Sequence, residues 1–320
     1  MRTPKKFILT AALACLFWIN LSFSFANREL GQIATAVARL LEQHHFTRRK
    51  LDAELSAQFF DNYLRILDPN RLYFFSEDVE EFRSKFGRSL HEYLQRGDVS
   101  PALEIFGSFR QRVENRVSKN LQLIEEPFDF TSNRTVEIDR KNSPWPANPQ
   151  EADKLWRARI EGEMLQEHLA EARIDSPKTV LTRRYNQLLR SVQEQETNDI
   201  ISTFLSALAQ TYDPHSDYMS PHDMENFAIS MRLSLVGVGA VLRSDEGYAR
   251  VIEIVPGGPA DKDGRLKVND RIAAVAQGEG PFEDTVGMKL DKVVEKIRGP
   301  KGTKVRLLVI PAGATDSSQR

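Results

Sequence analysis

The chain has 320 residues, with 44 Lys+Arg against 45 Asp+Glu and a formal net charge of −1, a balance that excludes an extended phosphate-tracking surface and hence a nucleic-acid partner. One cysteine, Cys15, excludes an intrachain disulfide and any cysteine-cluster metal site. The length suggests about two domains.

The first element is a leader. "MRTPKKFILTAALACLFWINLSFSFA" carries Arg2, Lys5 and Lys6, an apolar stretch from Phe7, and small residues at Ser24 and Ala26. That layout predicts residues 1–26 as a secretory signal cleaved after Ala26, with a periplasmic mature chain and no stable membrane span. "ALAC" resembles an acylation site, but the apolar "LFWIN" after Cys15 argues against it. Removing the three basic residues of the leader takes the formal charge from −1 to −4.

Residues 27–226 read as a helical domain. "ELGQIATAVARLLEQHHF" sets Leu30, Ile33, Val37, Leu40 and Leu41 on one stripe. "LDAELSAQFFDNYLRIL" repeats the period with Leu51, Leu55, Phe59, Tyr63 and Ile66. "SEDVEEFRSKFGRSLHEYL" opens at Ser76 with acidic residues in its first turn, as a helix N-terminus prefers. Ser100–Pro101 suits an N-cap and first turn for the helix that follows. Prolines at 127, 144, 146 and 149 then predict an irregular connection over about 125–150. The stretches 151–174 and 176–212 are two further helical texts. Their Leu, Phe and Tyr stripes are expected to be core.

"LDPNRLYF" (67–74) and "YDPHSDYM" (212–219) share Asp-Pro-x-x-x-Tyr, each after a long amphipathic helix. The Asp-Pro step predicts a turn, with the tyrosine packing back. Asp213, His215, Asp217, His222 and Asp223 fall within eleven residues, but Pro214 and Pro221 break regular ligand spacing, so no metal is expected. His44–His45 is expected to be a helix surface pair.

Near residue 230 the period changes. "LVGVGAVLR", "YARVIEIV", "DRIAAVA" and "KVRLLVI" are short, β-branched and bounded by turn residues, which predicts strands. Between the last two, "TVGMKLDKVVEKIRG" predicts a helix stopped at Gly299–Pro300. The fold class is therefore α+β and multidomain: a mainly α-helical N-terminal domain, then a small mixed β/α domain over 227–313 and a polar tail over 314–320.

Gly237 and Gly239 in "SLVGVGAV" imply close approach of a backbone to an anion. No G-x-x-x-x-G-K-[ST] run supplies a phosphate loop, and the third glycine and following helix of a dinucleotide fingerprint are missing. A peptide carboxylate fits better, because a glycine loop entering an edge strand aims successive N–H groups at one point. Charge-assisted hydrogen bonds contribute ~1.5–3 kcal/mol each and one buried apolar side chain ~1.5–3 kcal/mol. After association terms, affinity of about micromolar order is expected. No cofactor is called for.

Three segments carry a resemblance: "SLVGVGAVL", "VIEIVPGGPADKDGRLKVNDRIAAV" and "LDKVVEKIRGPKGTKVRLLVIPAG". They resemble the PDZ domain of carboxy-terminal processing peptidases, and "LDPNRLYF" with "DPHSDYMSP" resembles turns of the tail-specific protease branch. The resemblance implies that N–H groups of Val236, Gly237 and Val238, in a loop that includes Gly239, hold a substrate's terminal carboxylate. It places Val238, Ala240 and Leu242 beside the peptide, and Leu290, Val293, Val294 and Ile297 around the pocket for apolar terminal residues. The implied partners are proteins or peptides with free apolar C-termini, with any adaptor protein unidentified.

The family's chemistry is that of a Ser–Lys dyad lying beyond the PDZ module. Ser317 and Ser318 sit in a polar tail without a nearby lysine, so no catalytic residue is expected within 1–320 and the chain alone is expected to be inactive. Two alternatives remain at this point: a secreted, non-catalytic PDZ adaptor that binds chain ends, and a PDZ-like fold whose groove is closed by its own chain.

Overall fold

The computed structural model describes residues 28–131, 135–170, 175–232, 237–245, 247–299 and 302–314. The expected leader, Val236 and the tail serines lie outside them. The chain divides into two compact units, Met1–Met219 and Ser220–Arg320.

The first unit is helical: α1 (28–44), α2 (Ala53–Leu67), α3 (Ser76–Phe86), α4 (Leu90–Gln95), α5 (Ser100–Glu125), α6 (Pro149–Leu169), α7 (Pro177–Gln193) and α8 (Thr197–Tyr212). α2 begins where Asp52 Oδ1 accepts the N–H groups of Glu54 and Leu55 at 3.0 Å each, a side-chain cap for the first orphan donors. α5 has Val99 at its N-cap position, with Pro101 in the first turn, and Ser100 N donates to Asp98 Oδ1 at 2.9 Å just before it. α6 starts at a proline, with Asn148 Oδ1 accepting Glu151 N.

The core of this unit lies where α2 meets α8. Phe59, Phe60, Tyr63 and Leu64 are fully buried, and the Phe204 ring of α8 sits 4.5 Å from Phe59 and 5.0 Å from Tyr63, centroid to centroid. Tyr63 donates its hydroxyl to Ala102 O at 3.1 Å, and complete burial pushes its ionisation far up. Trp156 of α6 anchors the other side, donating Nε1–H to Leu72 O at 3.0 Å. These aromatic anchors give the bundle both apolar area and a fixed register.

Four sequence expectations change here. The text from 76 to 94 is two helices, broken after Phe86. The text from 176 to 212 is also two, broken at Glu194–Glu196. Leu40 is 61% exposed, because the buried stripe of α1 runs through Ala34, Ala38 and Leu41. His45 is not a surface residue: its Nε2 lies 2.7 Å from Asp213 Oδ2, and its side chain is 8% exposed.

The second unit contains α9 (Pro221–Arg232), β1 (Ala240–Asp245), β2 (Tyr248–Ile254), α10 (Pro259–Asp263), β3 (Arg271–Gln277), β4 (Glu283–Asp284), α11 (Leu290–Ile297) and β5 (Val305–Ile310). The antiparallel sheet runs β1-β2-β3-β4, with β5 along β3. Strand alternation sends Ala249, Val251 and Ile272 to one face, where Val293 and Ile297 of α11 cover it. Among the described residues β1 pairs on one side only, with β2.

Candidate functional site

Gly239 has φ 77°, a left-handed conformation that a side chain rarely takes. A Cβ there would also lie 3.1 Å from Gly258 Cα and 3.3 Å from Pro259 Cδ, so "VGVG" and "GGPA" meet backbone to backbone. Two hydrogen bonds fix the contact: Ala260 N donates to Val238 O at 2.7 Å, and Val255 N donates to Gly239 O at 2.8 Å. The loop's carbonyls are thereby turned toward the turn behind it. None of the hydrogen bonds among the described residues uses the N–H of Gly237, Val238 or Gly239. Backbone donors left this way call for an outside acceptor.

The loop runs directly into β1, whose second edge has no strand on it among the described residues. Val238 and Leu242 are half-buried and pack on the cluster of Ala249, Ile272, Val275, Val293 and Ile297, as does Leu290 from α11. Ala240 is half-buried. The four helix positions divide in two. Val293 and Ile297 are 1% and 5% exposed and form the floor between helix and sheet, while Leu290 and Val294 remain half-buried. Leu242 from β1 and Leu290 from α11 pack against that floor.

Supporting residues explain the surrounding motif. Asp270, 4% exposed, accepts Lys267 N at 2.8 Å and Ala312 N at 3.1 Å, which ties the start of β3 to the segment after β5. Gly264 closes α10 at φ 73°. Gln277 is a functional support that the sequence reading missed. Its Nε2 donates to the carbonyls of Lys296, Ile297 and Arg298 and so caps α11 from β3. A polar residue at the end of an apolar strand gives no cue for this long-range role.

In the polar cluster near 213, Asp213 is occupied by its own neighbours. Asp213 accepts Ser216 Oγ, His45 Nε2 and His215 N, and these donors, the Ser216 hydroxyl first, hold its carboxyl well below the usual range. Among the described residues no group of three His, Cys, Asp or Glu side chains is arranged to hold a metal ion, and no helix is long and apolar enough to cross a membrane.

Residues 37–222 match the tail-specific protease N-terminal domain, and residues 227–310 match the PDZ domain. A tail-specific protease of Haemophilus influenzae is 37% identical over 327 residues, covering 96% of this chain and 47% of that protein. The carboxy-terminal processing protease CtpA of Bacillus subtilis is 31% identical over 142 residues, covering 43% of this chain and 29% of its own length. A crystal structure of the PDZ domain of a carboxy-terminal protease from Vibrio cholerae in complex with peptide is 46% identical, covers 25% of this chain and 81% of that one, and has a TM-score of 0.24. The chain thus spans about half the length of the first relative, or less of the second. With its helical unit and PDZ domain matched in this order, the chain belongs to the tail-specific protease family.

Proposed function

We propose that this chain is the substrate-recognition portion of a periplasmic tail-specific serine protease, its PDZ domain binding the free C-terminal carboxylate and apolar tail of protein substrates. The observation that carries the reading is the set of uncommitted N–H groups at Gly237, Val238 and Gly239, set at the mouth of an unpaired strand edge. A peptide extends the sheet at β1, its carboxylate accepts from the loop, and its last apolar side chain enters between Leu242 and the exposed side of Leu290 and Val294. Val236 belongs to the same loop in this reading.

In this reading peptide-bond hydrolysis falls to a Ser–Lys dyad of the family type, and residues 1–320 carry the recognition step. Export through the leader at 1–26 places the recognition step outside the cytoplasmic membrane.

The test is fluorescence polarisation of a labelled peptide ending in a free apolar residue, titrated with the 320-residue chain. Binding of about micromolar Kd is expected. It should be lost when the terminus is amidated. Equal binding of acid and amide removes the carboxylate from the account. Incubation with the same peptide is expected to release no fragments, and turnover would overturn the assignment of chemistry elsewhere.

A further inference from the structure

The register of the sheet places three arginines in one row. Arg243 of β1 is directly opposite Arg250 of β2, and Arg250 is directly opposite Arg271 of β3. Directly paired residues in an antiparallel ladder share a face. The neighbours Ala249, Val251 and Ile272 face α11, so the arginines are on the other side of the sheet.

Like charges facing one another across strands are unfavourable, and two of the three are compensated. Arg250 Nη1 is 2.9 Å from Asp245 Oδ2, and its Nη2 donates to Asn269 Oδ1 at 2.7 Å. Arg271 lies over the Tyr248 ring, 5.2 Å from the centroid. Arg243, at the open edge, is exposed and has no carboxylate or hydrogen-bond partner among the described residues. Asp245, the acid on the same face of β1, is already committed to Arg250.

Resting on the reading that a peptide end docks along β1, we infer that Arg243 selects an acidic side chain upstream of the substrate's C-terminus. The position follows from strand geometry. With the carboxylate at Gly237–Gly239, the last residue is opposite about Gly239 or Ala240. Because the last side chain enters the pocket on the face of Ala240 and Leu242, it pairs opposite Ala240, and antiparallel pairing brings the third residue before it opposite Arg243, on the arginine face and not the pocket face. The substrate class is a chain end with an apolar terminus for the pocket and an Asp or Glu about one strand-repeat upstream for Arg243.

The experiment uses the 320-residue chain and uncharged peptides with a free apolar terminus, walking one Glu through the second to sixth positions before the last. Affinity is expected to peak at the third position, about two- to fivefold above the uncharged peptide, with Lys there weakening binding similarly. Near 1 M salt, where screening acts over ~3 Å, the preference should collapse. Arg243→Glu should reverse the preference and Arg243→Lys should keep it. A flat profile with normal binding of the uncharged peptide overturns the inference, as does a preference unchanged in Arg243→Glu. Failure of the uncharged peptide to bind overturns the docking reading beneath it.

Discussion

Asp68 and Asp213 stand at equivalent places in two turns, each closing a long helix and then folding its carboxylate over the residues that follow. Asp68 ends α2 and accepts the N–H groups of Leu72, Tyr73 and Phe74 at 2.8, 3.0 and 3.2 Å, with Trp145 Nε1 at 3.2 Å. Asp213 ends α8 and accepts from His215, Ser216 and His45. Each residue's own carbonyl takes the N–H three positions on, from Arg71 and from Ser216. The two helices so terminated are the pair that build the core through Phe59, Tyr63 and Phe204.

Asp68 is 1% exposed, so removing its carboxylate strands several buried donors at once. Asp68→Ala should destabilise the helical unit by about 3 kcal/mol or more, and Asp68→Asn by less, because its amide oxygen can still accept. Urea unfolding followed by tryptophan fluorescence measures both, since Trp145 and Trp156 flank the turn.

Asp213 predicts a pH effect of defined sign. Its folded-state pKa is depressed, chiefly by the Ser216 hydroxyl and then by His45 and the His215 N–H. Its contribution is therefore complete above the unfolded value of about 3.9 and is lost as pH falls through the lower folded value. The stability gap between wild type and Asp213→Asn should be widest at about pH 5–7 and should narrow below about pH 3. A gap that widens on acidification would contradict the assignment.

The glycine loop separates into a demanding and a tolerant position. Gly239→Ala combines a left-handed φ of 77° with contact at 3.1 Å to Gly258 Cα, so the loop must shift. Peptide affinity should fall by about tenfold or more, given ~1–2 kcal/mol of left-handed strain plus misplaced donors. At Gly237 nothing lies within 4 Å of a Cβ, and Gly237→Ala should leave the unfolding midpoint unchanged. Thermal unfolding alongside the polarisation titration distinguishes them.

On α11 the paired valines should part company. Val293 is 1% exposed, and Val293→Ala should lower stability by about 2 kcal/mol through lost burial and a partial cavity. Val294 is half-buried, so Val294→Ala should alter stability by less than about 1 kcal/mol while weakening the acid-form peptide. If both variants change stability alike and neither changes binding, Val294 does not line the pocket.

The helical unit was legible where bulky residues mark the period, as at Leu55, Phe59 and Tyr63, and less so where small ones do. Ala34 and Ala38 carry the buried face of α1, and alanine gives little contrast against a polar neighbour, so a leucine pattern places Leu40 on the stripe where the structure exposes it. The break at Glu194–Glu196 has no glycine or proline to announce it. It is held from afar by Arg110 Nη2 donating to Gln195 O at 2.9 Å, and locally by Asp199 accepting Glu196 N at the start of α8. His45 was misplaced for the same reason, since its partner lies 168 residues away. In the second unit, turn glycines and β-branched runs reveal the strands, but α11 begins only at Leu290 because Gly287 takes φ 75°. The loop glycines stand out in the sequence, whereas the row of arginines exists only once the register is known.

An edge able to take an added strand is equally open to a second copy of itself. Two β1 edges meeting antiparallel would bring their unpartnered Arg243 guanidinium groups within a few residues of each other, and that repulsion discourages self-association. The same side chain would then keep the protein from dimerising through that edge, so neutralising it should raise the tendency to self-associate even where folding is untouched.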